Sequence, residues 1–146
     1  MNKVYQHIVK VTIGDTNMEG PVYWLNYLKW FGQARELFML HFMEPLIPKE
    51  LSAPEFFQKI GVKIITLNAQ MEFKHPAQFG DELAVNIQSR NFHESRVEVV
   101  CEIINLRNGQ IMATGTQGLA FKNLADKIIR MPDEIRALAK EYEVTQ

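Results

Sequence analysis

An α+β domain, in which an antiparallel sheet wraps around one long helix, is what this sequence predicts. Three observations carry the prediction. A long amphipathic stretch follows a polar turn at residues 14–20, the hydrophobic period switches to two from Ile65 onward, and turn residues then divide the chain into successive strand-length segments. With 146 residues, 47% of them hydrophobic, the chain has material for one core and none for a second, so residues 1–146 read as a single domain.

Val4 to Ile13 is rich in branched residues and loosely alternating, a first strand leading into a turn at Asp15. Gly20 frees the backbone there. Pro21 suits a first helical position, where no amide proton is needed, so the spacing predicts a helix from Pro21 to about Phe42. Trp24, Leu28, Phe31, Arg35, Phe38 and Phe42 recur at steps of four and three and share one face, with Asn26, Lys29, Gln33 and Glu36 opposite. Arg35 is the anomaly on that stripe, because a guanidinium keeps its charge and must meet an anion, a carbonyl or a water-filled cleft. Gly32 costs the helix about 1 kcal/mol relative to alanine, which close packing, or else ligand access, would explain.

Pro45 and Pro48 end the helix and make the connection irregular, with room for a short helical turn over residues 54–59. Ile65, Leu67, Ala69, Met71 and Phe73 alternate with polar residues as a strand with one buried face. Leu83, Val85 and Ile87 continue in a third strand, Val97, Val99, Cys101 and Ile103 in a fourth. Asn108-Gly109 predicts a hairpin turn because both residues tolerate positive φ, leading to a fifth strand over 111–122. Gly115 and Gly118 in that strand would let a helix or another backbone approach closely. Pro132-Asp133-Glu134 opens a short last helix, with acidic residues at its positive end.

Several function classes receive no support. A formal net charge of −1 leaves no electrostatic footprint for nucleic acid or an anionic membrane, and no apolar run approaches a membrane span. A polar N-terminus without a signal-peptide core gives the expectation of a cytoplasmic protein. Cys101, the single cysteine, reads as a small buried residue, and His7, His41, His75 and His93 lack metal-ligand spacing. Neither a Gly-x-Ser-x-Gly elbow nor a glycine-rich phosphate loop is present. No metal and no cofactor are expected.

One helix of about 20 residues is about 30 Å long, a length that a twisted sheet can wrap. That is the hotdog architecture. Only one sheet face would be covered and edge strands would remain, so at least a homodimer, or a homotetramer, is expected.

Residues as well as pattern bear on function. Gly14 to Leu37, the run Glu72-Phe73-Lys74-His75-Pro76 before Gly80-Asp81-Glu82-Leu83, and Lys127-Ile128-Ile129-Arg130-Met131-Pro132 resemble the hotdog thioesterases of the 4-hydroxybenzoyl-CoA thioesterase type. In that family the turn usually reads Asp-x-Asp, the second acid being catalytic, whereas this chain has Asp15-Thr16-Asn17. With Asn17, Val22-Tyr23, Asn26-Tyr27-Leu28, Trp30 and Arg35-Glu36-Leu37-Phe38, the segment is similar to the thioesterases that accompany enediyne polyketide synthases. The resemblance implies catalytic roles for Asn17 and Arg35, a substrate contact for Tyr27, and an oxyanion site at the amides near Trp24. It also implies hydrolytic release of an acyl chain from an acyl-carrier protein.

The chemistry of the residues is compatible with that implication. Amides at Tyr23 and Trp24, at the positive end of the helix, can hold the oxygen that gains charge when water attacks a thioester. Asn17 can orient water or bind a carbonyl but cannot take up a proton near neutral pH. Asp15, Glu19 and Glu72 are the carboxylates available as bases. Each residue also has a plainer reading: Asp15 and Asn17 as turn builders or helix caps, Arg35 as a bridge to a carboxylate at a subunit interface, Tyr27, Trp24 and Trp30 as core aromatics. The expected function is hydrolysis of acyl-carrier-protein thioesters of polyketide or fatty-acid type. Small acyl-CoA thioesters are the alternative substrate, and a hotdog module that binds an acyl thioester or a protein partner without hydrolysing it is the alternative class.

Overall fold

A computed structural model describes residues 2–18 and 20–145, so Glu19, one of the three candidate bases, lies outside the described residues. Five strands, β1 (Tyr5–Lys10), β2 (Lys63–Phe73), β3 (Glu82–Arg90), β4 (Arg96–Asn105) and β5 (Ile111–Lys122), form one antiparallel sheet in the order β1-β3-β4-β5-β2. Helix α1 (Leu25–Met43) lies across one face, with two shorter helices, α2 (Ala53–Ile60) and α3 (Asp133–Lys140), beside it. This is the hotdog arrangement.

The long helix begins four residues later than its proline predicts. Pro21 and Val22 are extended and bridge to Gln78 and Thr16, and Val22 N–H donates to the Ala77 carbonyl at 2.8 Å. The turn is thus stitched to the distant 76–81 segment before the helix can start, a tertiary demand that overrides the local preference of proline. Gly20 takes φ +106°, which an L side chain rarely adopts, so the glycine there is a requirement of the turn.

The buried face of α1 is also rotated from the predicted stripe. Tyr27, Trp30, Phe31, Ala34 and Phe38 are buried, whereas Trp24 is exposed and Leu28 and Arg35 lie on the flank. Counting from Trp24 misplaces the stripe because Trp24 packs against Phe73 at the end of the sheet, ring centroids 5.9 Å apart, and not into the core.

Sequence neighbours β2 and β3 are not sheet neighbours. After Phe73 the chain crosses the end of α1 and enters β3, while β2 pairs with β5 at the far edge. Asp81 pins the crossing: its carboxylate accepts from the Gln78 amide at 2.9 Å and the Asn105 side-chain amide at 3.1 Å, and the Arg107 guanidinium stands at 3.4 Å. A bulge between Thr66 and Asn68 shifts the alternation of β2, so Leu67, Ala69 and Phe73 of the predicted buried set are exposed, whereas Ile64 and Met71 pack against the core.

Two glycine readings part company. A Cβ on Gly115 would lie 3.0 Å from the Phe31 ring and from Met71, so this glycine does permit close helix approach, and one on Gly118 would strike Asn68. At Gly32 nothing lies within 4 Å, so close packing within this chain does not account for it. In the β4–β5 hairpin only Gly109 takes positive φ, 72°; Asn108 instead accepts from the Gln110 amide at 2.9 Å through its side chain. Cys101 is buried as expected, and burial pushes its thiol pKa far above the ordinary value. No described helix is long and apolar enough to cross a membrane.

Candidate active site

The turn ahead of α1 closes on itself before it presents anything. Asn17 N–H donates to the Pro21 carbonyl at 2.9 Å and Gly20 N–H to the Asn17 carbonyl at 3.0 Å. The Asp15 carboxylate accepts from the Thr12 amide at 2.8 Å and the Thr12 hydroxyl at 3.0 Å, while its carbonyl receives the Asn26 side-chain amide at 2.8 Å. Asp15 therefore builds the turn. Its carbonyl also takes the Tyr23 amide at 2.9 Å, which removes Tyr23 N–H from the expected oxyanion pair. Trp24 immediately precedes the helix; Asn26 N–H donates to the Tyr23 carbonyl at 2.9 Å and Tyr27 N–H to the Trp24 carbonyl at 3.2 Å, which leaves the amides of Trp24 and Leu25 at the positive end of α1.

An open groove of about 650 Å³ runs past this end of the helix, and its lining brings together Asn17, Trp24 and Tyr27 with Phe73, His75 and Pro76. Tyr23 is outside the lining, its exposed ring 5.9 Å from that of Trp24. Tyr27 is buried but for its edge, and its hydroxyl oxygen accepts from the Ala77 amide at 3.0 Å. Burial raises the Tyr27 pKa, with the Ala77 N–H opposing and the negative Asp81 adding, so the phenol keeps its proton near neutral pH. A Tyr27 oxygen that accepts from the backbone still has an O–H to donate, and among the described residues nothing receives it.

Arg35 is elsewhere. It lines a second groove of about 250 Å³ with Met39, Leu40, Phe57 and Ile64, its Nη1 donating to Thr66 Oγ1 at 3.2 Å. The nearest carboxylate is Glu36 at 3.9 Å, whose side chain is 72% exposed against 14% for Arg35. Burial lowers the Arg35 pKa, partly offset by Glu36, though a guanidinium remains charged throughout the accessible pH range. Its Nε is buried without a partner among the described residues, as is Gln117 Oε1. Among the described residues no carboxylate meets Arg35 more closely than Glu36, and the plain reading, a bridge to a carboxylate at a subunit interface, calls for a partner subunit. Asn17 and Arg35 are separated along α1, since Trp24 and Tyr27 line the first groove and Arg35 lines the second, about 12 to 17 Å further on at about 1.5 Å per helical residue.

Of the candidate bases, Glu72 lines a different recess with Gln70 and Thr114, its side chain 3.5 Å from Lys74 and largely exposed. His75 is a groove residue that sequence reasoning left without a role. Its signal was legible, a histidine directly before Pro76 at a strand end, but only the crossing of 74–81 over the end of α1 brings it to Asn17. Among the described residues no group of His, Cys, Asp and Glu side chains could hold a metal ion.

Comparison with known proteins follows the same outline. The chain is 25% identical over 130 residues to a 1,4-dihydroxy-2-naphthoyl-CoA hydrolase of Thermosynechococcus vestitus, covering 89% of this chain and 84% of the relative. Its fold matches the crystal structure of the Dynemicin thioesterase with a TM-score of 0.79 at 24% identity, covering 99% of this chain and all of the other. It matches SAV2348 from Staphylococcus aureus, solved in complex with CoA, with a TM-score of 0.85 at 15% identity, covering 100% and 89%. A family model described as the Thioesterase-like superfamily spans residues 11–138, and with nearly the whole domain matched, this chain belongs to that superfamily.

Proposed function

We propose that this protein hydrolyses the thioester of an acyl chain, with polyketide or fatty-acid type chains on an acyl-carrier protein as the favoured substrate. The observation that carries the reading is the groove lined by Asn17, by Trp24 at the amide end of α1 and by Tyr27, against the apolar wall of Phe73. Attack of water on a thioester puts negative charge on the carbonyl oxygen, and the helix end and the phenol are donors for it. Asn17 positions the water or the carbonyl. Family membership and the similarity to enediyne-associated thioesterases in residues 14–38 support the same assignment.

Arg35 joins this site through a second subunit. β2 is an eleven-residue edge strand that pairs only with β5 among the described residues, leaving one row of backbone groups open. Antiparallel pairing of β2 with its copy about a two-fold axis near Asn68 sets residue 73 of one protomer opposite residue 63 of the other. The Asn17 groove of one protomer then abuts the Arg35 groove of its partner, and the guanidinium faces a thioester it cannot reach within its own chain. The homodimer is therefore the catalytic unit in this proposal, with pairing of dimers into a tetramer an extension of it.

Small acyl-CoA thioesters are the second reading, favoured by the relative named as a CoA-thioester hydrolase and by the CoA complex of a structural neighbour. Thiol release from matched acyl groups on CoA and on carrier protein tests both. Faster turnover on the carrier protein supports the first reading and faster turnover on CoA the second. No turnover on either leaves only the binding-module alternative.

A further inference from the structure

We propose that His75 is the general base that activates water for thioester hydrolysis, an inference that rests on the thioesterase reading above. Hydrolysis needs a proton acceptor, and among the described residues none of the groups so far placed in the groove supplies one; Glu19 lies outside them. Asn17 is an amide that does not ionise near neutral pH, the Tyr27 phenol holds its proton, and Lys74 is a cation. The carboxylate of Asp15 is turned back onto Thr12, and Glu72 is outside the groove. His75 lines the groove beside Asn17, Tyr27 and Phe73.

The ring is also set in the tautomer that a base requires. His75 Nδ1 stands 3.0 Å from the Ile111 carbonyl oxygen, and a carbonyl only accepts, so Nδ1 carries the proton and Nε2 keeps its lone pair. The backbone around the ring is fixed as well, because Lys74 N–H and His75 N–H both donate to the Met112 carbonyl, at 2.8 and 3.2 Å. An imidazole oriented by a hydrogen bond on one nitrogen and open at the other is the arrangement general-base catalysis uses.

The step balances without any further reactant. As the water oxygen bonds to the thioester carbon, its proton passes to Nε2 and negative charge collects on the carbonyl oxygen near the end of α1. When that intermediate collapses, the carbon–sulfur bond breaks and the sulfur leaves with the proton held on Nε2, giving carboxylic acid and thiol and restoring neutral His75. Among the described residues, the titratable and charged groups that share the groove with His75 are Lys74 and Tyr27, with Glu72 held against Lys74.

The test uses the full chain and His75→Asn, whose side-chain amide can still donate to the Ile111 carbonyl but offers no basic nitrogen. His75→Asn should melt and sediment like the parent while thiol release falls by about a hundredfold to ten-thousandfold. The parent kcat/KM should show an acid limb that the variant lacks. Added imidazole should restore part of the activity of His75→Ala, which no purely structural role predicts. Parental turnover with an unchanged pH profile in His75→Asn would overturn the assignment while leaving the thioesterase reading intact. A parent protein that releases no thiol from any acyl thioester would overturn both.

Discussion

Replacing Arg35 with methionine, which keeps the length of the side chain and removes its charge, should slow catalysis and leave the fold intact. Both halves follow from the contacts of the guanidinium. Its bond to Thr66, at 3.2 Å, is a charged hydrogen bond of the kind worth about 1.5 to 3 kcal/mol. Against that, its Nε is buried without a partner, a burden of about 1 to 3 kcal/mol, and the pair with exposed Glu36 at 3.9 Å contributes about 0 to 1 kcal/mol. The terms nearly cancel. Arg35→Met should therefore change stability by no more than about 1 kcal/mol, which for a domain of this size is a shift in melting temperature of about 2 to 4 °C. Turnover should fall about a hundred- to thousandfold, the effect of losing one donor to a developing oxyanion, about 2.7 to 4 kcal/mol. Thermal melts, sedimentation and single-turnover thiol release on the same preparation give both numbers. A drop of roughly 10 °C with parental turnover per folded subunit would refute the reasoning, because a structural ion pair costs about 3 to 5 kcal/mol when broken.

Other perturbations report on other parts of the molecule. Asn17→Ala should lower turnover at unchanged melting temperature, whereas Asn17→Asp, which restores the acid of the wider family, should retain measurable thiol release; parental rates in Asn17→Ala would reduce Asn17 to a turn residue. Gly115→Ala should destabilise by about 1 to 3 kcal/mol because its Cβ would press on Phe31 and Met71 at 3.0 Å, and an unchanged melt would show that the helix can lift without cost. The Ser52 amide holds the Glu55 carboxylate below its usual value of 4.5, so the cap of α2 contributes fully above that pH and is lost as pH falls through the lowered folded pKa. Amide exchange at residues 55–58 should accelerate on acidification, and a rate that did not respond to pH beyond the intrinsic chemistry would contradict that role.

Periodicity made most of this fold legible. The span of β5, Ile111–Lys122, is the predicted one, and α3 starts beside its acidic residues, because both signals are local. What escaped was long-range. Pro21 has the chemistry of a first helical residue, yet it is drawn into a bridge with Gln78, and no window of sequence around residue 21 contains that partner. The bulge at Leu67 costs β2 its regular alternation for a similar reason, since it is defined against β5 fifty residues away. Within the candidate site, Asn17, Trp24 and Tyr27 could be grouped because they share one turn and the helix that follows. His75 could not, since it arrives by a crossing connection held by Asp81 and Asn105. Arg35 was conspicuous as a charge on an apolar stripe, and its separation from Asn17 was legible too, since about three turns of helix lie between the Asn17 turn and Arg35.

Subunit complementation tests the shared site most directly. Asn17→Ala and Arg35→Ala proteins, each inactive alone, are mixed at equal concentration, dissociated and reassociated, and thiol release is measured per mole of protein. If each site takes Asn17 from one protomer and Arg35 from its partner, a mixed dimer holds one site with both residues and one with neither, and random pairing returns about one quarter of the parent activity. If both residues act within one chain, or if no dimer forms, every subunit remains defective and mixing restores nothing.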